Sequence, residues 1–270
     1  MEYLKLIRVD SPDDPLVIQF ARLDKQIFEA TVTPFSTDDF ISFLKTGAVL
    51  FGHVNINNKL VSESTILFNH TDILGTKFHS NFPLEYALLE ADAVDEGYRG
   101  SGLQKELLHK RIEMAKEHDT AVLCSTIKHQ NLPSIKSYLS CGFILAVDAP
   151  GFFGDGIKND RLIYVNDLNF PNDFNKYISS NDDEIKYDDS QIDELISRNN
   201  TNFLLKVEYS DDPNENFNRQ ISKLIQNNYI GIGFVSSANT YAVRFIHLDI
   251  LPKHIADAIK FRQTQIKNLL

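Results

Sequence analysis

The spacing of hydrophobic positions predicts a succession of strands and helices over residues 4–165. Apolar residues at every second position, or in short unbroken runs, indicate strands, whereas apolar residues that recur every three or four positions indicate helices. This succession is typical of an α/β fold built on a mixed sheet. In chain order the pattern predicts a strand (4–9), two helices (17–28 and 36–46), three strands (48–55, 59–68 and 86–94), a helix (103–117), a strand (120–127), a helix (134–140) and two strands (143–147 and 161–165).

The pattern changes after residue 165. Residues 166–200 are rich in Asn, Asp and Ser, which favours a solvated acidic linker or the face of a short helix. We therefore expect a large domain at 1–168, this linker or short helix at 169–200, and a smaller α+β domain at 201–270. Within that smaller domain the pattern predicts a strand (202–209), a helix (214–227), two strands (230–236 and 241–249) and a helix (252–270).

The charge of the chain narrows the classes of partner. A formal net charge of −10 and a pI near 5.2 argue against binding to nucleic acid or to an anionic membrane, and they are compatible with a cationic, amine-bearing substrate. No apolar run has the length that a bilayer requires, and the first residues lead into a strand and not into a signal peptide. We therefore expect a cytoplasmic protein.

The cysteines and histidines predict no metal site. Cys124 and Cys141 are too few and too far apart for a metal knuckle or a disulfide framework, and their apolar surroundings favour small core residues. The eight histidines show no metal-ligand spacing. The sequence contains neither a Ser-His-Asp signature nor a nucleophile elbow, the motifs that would indicate a hydrolase.

A glycine-rich turn joins the strand that ends at Val94 to the helix that begins at Leu103. Its sequence is Arg99-Gly100-Ser101-Gly102. Backbone N–H groups at a helix N-terminus have no partner within the helix, and glycines let an anion approach the backbone closely, so a strand, a glycine turn and a helix can bind a phosphate. The alternative is a plain connection between a strand and a helix.

Three further motifs follow the turn in a fixed order: a buried strand, Asn131-x-x-Ser134-Ile135-x-x-Tyr138, and Cys141-Gly142-Phe143. Together with Val94 and the glycine turn, this ordered set resembles the GNAT family of N-acetyltransferases over about residues 3–166. The resemblance implies the acyl-CoA N-acyltransferase fold, with acetyl-coenzyme A as co-substrate and the glycine turn on its pyrophosphate. It also implies that the preceding strand splays from its neighbour, so that free backbone groups can pair with the coenzyme. The residues that it implies as coenzyme contacts are Ala93, Val94, Arg99, Gly100, Ser101, Gly102, Leu103, Gln104 and Asn131. Gln104 departs from the family, where a Gly or Ala is usual at that position.

Three side chains are candidates for chemical roles, the first of them from the same resemblance. Tyr138 matches the family tyrosine that gives a proton to the leaving thiolate, with packing on the sheet as the alternative. Glu90 and Asp92 lie in an otherwise apolar strand, and strict alternation would place both on the face of Leu88 and Val94. Buried carboxylates are costly unless they are paired or functional, so each is a candidate base or amine anchor. The alternative is that one pairs with a Lys or Arg of the substrate-side helices, or lies on an exposed strand end.

Two functions remain open at this stage. The first is an N-acetyltransferase that acts on a primary amine of a small molecule or peptide by direct attack. The second is a non-catalytic module that holds acyl-coenzyme A as a sensor or scaffold. The smaller domain would then serve as a homodimer surface, a lid, a partner-binding module or plain packing. The loops at 29–46, 69–84 and 148–160 carry no motif that identifies the acceptor.

Overall fold

The protein is described here by a computed structural model. The structure describes residues 3–28, 33–68, 85–152, 160–170, 174–177, 184–185, 189–197, 202–208, 215–237 and 240–270. Residues 29–32, the expected loop at 69–84 and most of the expected loop at 148–160 lie outside these ranges, as does much of the acidic segment at 169–200. The chain forms two compact units, residues 1–125 and 126–270. The domain boundaries expected from the sequence remain a prediction.

The first unit is a sheet with helices on both faces. Its strands lie in the order β1-β2-β3-β4-β5; neighbours are antiparallel as far as β4, and β4 and β5 are parallel because a helix connects them. This arrangement confirms the predicted mixed α/β sheet and the predicted order of elements. The elements are β1 (Lys5–Val9), α1 (Val17–Phe28), α2 (Thr37–Lys45), β2 (Val49–Val54), β3 (Leu60–Leu67), β4 (Tyr86–Val94), α3 (Leu103–Glu117) and β5 (Val122–Ile127).

Aromatic side chains hold α1 and α2 together. Phe20, Phe35, Phe40 and Phe43 form a chain of tilted and edge-on contacts, with ring centroids 5.1–6.0 Å apart. Helix α2 starts where the sequence predicted, because Ser36 and Asp39 form a reciprocal capping box around its first turn. α1 also packs closely on β2: a Cβ on Gly52 would lie 3.3 Å from the ring of Phe20.

Strand β4 contains a β-bulge. In its antiparallel register with β3, Thr65 lies opposite Glu90 and Glu63 lies opposite Ala93, so two steps on β3 match three steps on β4. Ala91 takes up the extra residue in a left-handed conformation, with φ of 51°. The bulge reverses the alternation of side chains along the rest of the strand.

This reversal corrects one expectation from the sequence. Leu88 and Glu90 lie on one face of β4, but Asp92 and Val94 lie on the other, so the four residues do not share a face. Strict alternation fails here because it assumes one residue per step, and the bulge inserts one more. The two candidate carboxylates of β4 therefore point to opposite sides of the sheet.

The second unit is also built on a sheet. Its strands lie in the order β7-β6-β10-β11-β9-β8, and the recorded pairings are antiparallel except for β8 with β9. The predicted strand-helix-strand-strand-helix order beyond residue 201 is confirmed, and α5 lies inside the segment expected to be a linker or short helix. The elements are α4 (Leu132–Ser140), β6 (Ile144–Ala149), β7 (Arg161–Asp167), β8 (Glu184–Ile185), α5 (Asp189–Ser197), β9 (Asn202–Glu208), α6 (Glu215–Gln226), β10 (Tyr229–Ser237), β11 (Thr240–His247) and α7 (Lys253–Lys267).

Strands β6 and β10 meet at a glycine. Gly231 lies opposite Leu145, and a Cβ on Gly231 would lie only 3.0 Å from the Cβ of Leu145. The absence of a side chain therefore allows this strand pair to approach.

Both cysteines, Cys124 and Cys141, are buried free thiols, which confirms the prediction that they are small core residues. Within the described ranges, no helix combines the length and the apolar character needed to cross a bilayer.

Candidate active site

The glycine turn leaves the start of α3 open. Gly100 and Gly102 have φ of 77° and 90°, a left-handed backbone that glycine adopts without strain. A Cβ at either position would meet no described atom within 4 Å. Gly102 is the N-cap of α3, and it forms no side-chain cap hydrogen bond. The open space beside the two glycines at the start of α3 is an arrangement that fits an anion such as a phosphate, because the first N–H groups of a helix have no partner within it.

The turn is fixed by its own hydrogen bonds. The Arg99 Nε donates to the carbonyl oxygen of Val94 at 3.3 Å, and the Ser101 hydroxyl donates to the carbonyl oxygen of Tyr98. The side chain of Arg99 therefore lies against the end of β4, while the glycines beside it stay uncovered.

An ion pair at the start of the glycine turn also helps to fix the turn. The Lys59 Nζ lies 2.8 Å from Asp95 Oδ2, and Asp95 Oδ1 accepts a hydrogen bond from the Gly97 N–H at 3.3 Å. The hydrogen bond from Lys59 lowers the pKa of Asp95. This pair ties the β2–β3 hairpin end to the turn.

The first turn of α3 is also held from β2 and β3. His53 Nδ1 lies 2.8 Å from Ser62 Oγ, and its Nε2 lies 3.3 Å from a carboxylate oxygen of Glu106. Ser62 is fully buried, so it is not accessible as a nucleophile, and the three side chains serve to position the helix. The sequence did not reveal this set because its members come from three separate elements.

The parallel pairing of β4 with β5 covers only the first part of β4. It runs from Tyr86 opposite Val122 to Leu89 opposite Ser125, and Ser125 Oγ donates to the Leu89 carbonyl at 3.1 Å. Strand β4 continues beyond this pairing through Val94. That continuation contains Glu90, Asp92, Ala93 and Val94, which the sequence assigned to the site.

Asp92 forms an ion pair with a buried arginine. The Arg111 Nη2 lies 2.7 Å and 2.9 Å from the two carboxylate oxygens of Asp92, and its Nη1 donates to the Thr65 carbonyl at 3.4 Å. The Arg111 side chain is completely buried. A carboxylate of β4 is therefore paired, as the alternative from the sequence had it, but the arginine comes from α3 and not from the substrate-side helices. A role for Asp92 as base remains a prediction.

Glu90 faces α1, where two further carboxyl groups are buried. Asp24 of α1 and Glu63 of β3 are each only 1% exposed. Burial raises the pKa of Asp24 to about 6, against the opposing hydrogen bond from the Phe35 N–H at 2.6 Å. Burial, and then the charge of Asp24, raise the pKa of Glu63 well above its ordinary value.

The sequence analysis missed Asp24 and Glu63. Glu63 did carry a signal, since it is a charged residue in the middle of a predicted strand; the structure buries that strand at every position. Asp24 carried none, because a polar residue within an amphipathic helix normally lies on its exposed face.

The second unit carries the other two candidates, Asn131 and Tyr138. Asn131 caps α4, and its side-chain oxygen accepts from the Ser134 N–H at 3.3 Å. Tyr138 is 1% exposed, and its ring packs 4.8 Å from Phe143 and 6.0 Å from Tyr164, centroid to centroid. Helix capping and packing were the alternatives weighed for these two residues, and both are observed; their roles toward a coenzyme remain predictions.

Two remaining positions of the predicted contact set lie on α3. Leu103 is buried under the helix, and Gln104 is partly exposed. Among the described residues, no group of three or more His, Cys, Asp or Glu side chains is placed to hold a metal ion.

Part of the chain is similar to a known family. Residues 21–143 match the model described as the acetyltransferase (GNAT) family. This segment contains most of α1, then α2, strands β2 to β5, the glycine turn, α3 and α4, and it ends just before β6. A search of curated proteins found no match.

Several solved structures resemble part of this chain. A protein of Acinetobacter baylyi, named only provisionally as an acetyltransferase, is 20% identical, with 63% of this chain and 96% of that chain covered and a TM-score of 0.50. The ribosomal-protein-S18-alanine N-acetyltransferase of Escherichia coli is 17% identical, with coverages of 64% and 98% and a TM-score of 0.48. A provisionally named Salmonella typhimurium acetyltransferase, solved with acetyl-coenzyme A, is 16% identical, with coverages of 63% and 96% and a TM-score of 0.48. At 20% identity, the likeness to the Acinetobacter baylyi protein concerns the fold alone.

Proposed function

We propose, from the match of residues 21–143 to the acetyltransferase (GNAT) family model, that the protein transfers the acetyl group of acetyl-coenzyme A to a primary amine. The observation that carries the proposal is the uncapped start of α3 behind Gly100 and Gly102. The N–H groups there suit a pyrophosphate, since they supply hydrogen bonds and partial positive charge without a dedicated lysine.

The proposed coenzyme contacts follow the strand, the turn and the helix in order. The end of β4 continues past its pairing with β5, which supports a role for its backbone in binding the extended part of the coenzyme. In the proposal, the N–H of Val94 polarises the thioester carbonyl. The full set is Ala93, Val94, Arg99, Gly100, Ser101, Gly102, Leu103, Gln104 and Asn131.

Three side chains are proposed to handle protons. An amine must lose a proton before it attacks, and the leaving thiolate must gain one. We assign the first task to Glu90 or Asp92 and the second to Tyr138. Of the two carboxylates, Glu90 is favoured, because Asp92 is engaged by the buried Arg111.

The reaction is tested by release of free thiol from acetyl-coenzyme A in the presence of pooled amines, amino acids and peptides. Thiol release that depends on an amine, with the acetylated amine seen by mass spectrometry, is the expected result. Tyr138→Phe should lower turnover by about 100-fold, the scale of a lost general acid, with little change in coenzyme affinity. Unchanged turnover in this variant would remove Tyr138 from the mechanism while leaving the reaction in place.

A second candidate function is a module that binds acyl-coenzyme A without catalysis. The burial of Tyr138 favours it, since a side chain that is 1% exposed and packed between two aromatic rings already has a structural role. Coenzyme binding measured by calorimetry, without thiol release across the whole pool, would select this function. Absence of binding would reject both.

A further inference from the structure

Three carboxyl groups lie on one face of the first unit. Glu63 and Thr65 are two positions apart on β3 and so share a face, and Thr65 lies opposite Glu90 of β4. Helix α1 packs on this face: Gly52, which lies opposite Glu63, is the residue approached by Phe20. Asp24 is one turn after Phe20 on α1 and therefore faces the same side of the sheet.

Buried polar groups on this face are only partly satisfied. The side chains of Asp24 and Glu63 interact through a hydrogen bond, but among the residues that the structure describes the carboxyl oxygens of Glu63 have no other partner, and the Thr65 hydroxyl has none. The side chains of Glu63 and Thr65 are at most 1% exposed. Leaving such groups unsatisfied is costly, so their presence points to a polar occupant or to a transferable proton.

We propose that Glu63 and Asp24 act through Glu90 to take up the proton that the acceptor amine loses before it attacks. Glu90 is partly exposed and is the member that contacts the amine. Glu63 and Asp24 are positioning residues, which hold the released proton away from the amine. This inference rests on the proposed acetyltransfer, and it assigns work to two residues that no part of that reaction has used so far.

The protons and electrons balance as follows. The acceptor arrives as an ammonium ion, and one N–H proton passes to Glu90 and into the carboxyl pair. The freed lone pair forms the N–C bond to the acetyl carbon, while the C–S bond breaks and leaves its electron pair on sulfur. A second N–H proton ends on that sulfur, and the pair returns its proton to water. Ammonium ion and thioester have then become amide, thiol and one proton.

The electrostatic surroundings favour a stored proton. Burial and neighbouring acids keep the pKa of both Asp24 and Glu63 above the ordinary carboxyl range. The charges that act on the pair from adjoining elements are Asp39 of α2, Glu90 and Asp92 of β4. All are acidic, so each disfavours a second negative charge in the pair.

The test compares pH profiles of kcat/KM for the wild type, Glu63→Gln, Asp24→Asn and the control Glu113→Gln. Glu113 makes a matched control because it is an exposed glutamate on α3 paired with Lys110. We expect Glu63→Gln and Asp24→Asn to lower kcat/KM at neutral pH by about tenfold or more, and to shift the acid limb of the profile by about one pH unit. Glu113→Gln should change neither.

If the pair is purely structural, replacing either residue should lower activity together with stability and leave the acid limb of the pH profile in place. That result would overturn the inference. Using both variants protects the test against one that fails to fold. Infrared difference spectra give a readout besides activity: the wild type should show a protonated carboxyl band at neutral pH that is lost in Glu63→Gln and kept in Glu113→Gln. A wild type without that band would also overturn the proposal.

The experiments distinguish a failure of the proposed acetyltransfer from a failure of the proposed carboxyl relay. If no amine in the pool is acetylated by the wild type, the acetyltransfer itself is wrong and the relay falls with it. If acetylation occurs and the acid limb is the same in all four proteins, only the relay is wrong.

Discussion

At the scale of single residues, backbone conformation decides what the turn can bind. Gly100 and Gly102 both have left-handed backbones and open space where a side chain would stand. A Cβ at either position would meet no described atom within 4 Å, but the left-handed conformation is unfavourable for a residue that carries one. Selectivity for glycine at this turn therefore comes from φ and not from crowding.

Gly102→Ala should reduce stability by about 1 kcal/mol, because a left-handed conformation is unfavourable for alanine. It should also weaken coenzyme A binding by about tenfold, the equivalent of one lost hydrogen bond to a charged group. Thermal unfolding and titration calorimetry measure the two effects. Gly97→Ala is the control in the same turn, since Gly97 has no left-handed φ and its Cβ would only touch Asp95 at 3.9 Å. Equal losses in both variants would contradict the conformational explanation.

Asp92→Ala should destabilise the protein by about 3–5 kcal/mol, because it removes the carboxylate from a guanidinium that is completely buried. Urea unfolding gives this value directly. A double replacement, Asp92→Leu with Arg111→Met, removes both charges and should recover most of the loss. If the double variant is as unstable as the single one, the loss does not come from an uncompensated charge.

Single residues also show where prediction from sequence ends. Gly102 was predictable, because glycines between a strand and a helix form a local pattern. The partner of Asp92 was not, since Arg111 lies on another element and looks like an ordinary polar residue of α3. The Asp24–Glu63 pair depends in the same way on how α1 packs against β3, which no local spacing encodes.

At the scale of elements, the order of strands and helices followed from hydrophobic spacing. That succeeded because helix and strand periods differ strongly and because caps such as Ser36 and Gly142 mark the ends. The bulge at Ala91 was missed, because a bulge is a property of two paired strands. Its consequence for the site was large: it separated Glu90 from Asp92.

The strand pair β6–β10 gives a prediction at this scale. Gly231→Ala should cost about 1–3 kcal/mol, because the new methyl group would overpack Leu145 and push the strands apart. Gly233→Ala is the matched control: its Cβ would lie 3.7 Å from the nearest atom, an ordinary contact. Its unfolding free energy should change by no more than about 0.5 kcal/mol. Chemical denaturation of both variants decides the point, and similar losses would show that close packing is not the cause.

At the scale of the whole molecule, buried acids make stability depend on pH. The pKa of Asp24 is about 6 in the folded protein, against 3.8 as its ordinary value. The folded state therefore binds more protons than the unfolded state between these values, and the free energy of unfolding falls as pH rises through that window. The contribution of this one group amounts to about 3 kcal/mol, and it is fully lost above the folded pKa.

Asp24→Asn should remove this dependence. Compared with the wild type, the variant should be relatively more stable at pH 7 than at pH 4, since an amide has no proton to lose while its oxygen can still accept from the Phe35 N–H. Denaturation curves at the two pH values measure the difference between the proteins, in which the other titrating groups largely cancel. A constant difference across pH would contradict the assignment.

Because of the bulge in β4, the side chains before and after Ala91 alternate between the two faces of the sheet in opposite phase. Up to residue 90, even-numbered positions face α1; from residue 92 onward, even-numbered positions face α3. Mutational scans of this strand should therefore change phase at Ala91, with charge reversals before it felt by Asp24 and those after it by Arg111. Deleting Ala91 would merge the two phases and bring the carboxylates of residues 90 and 92 back to a common side, at the expense of the ion pair that anchors α3.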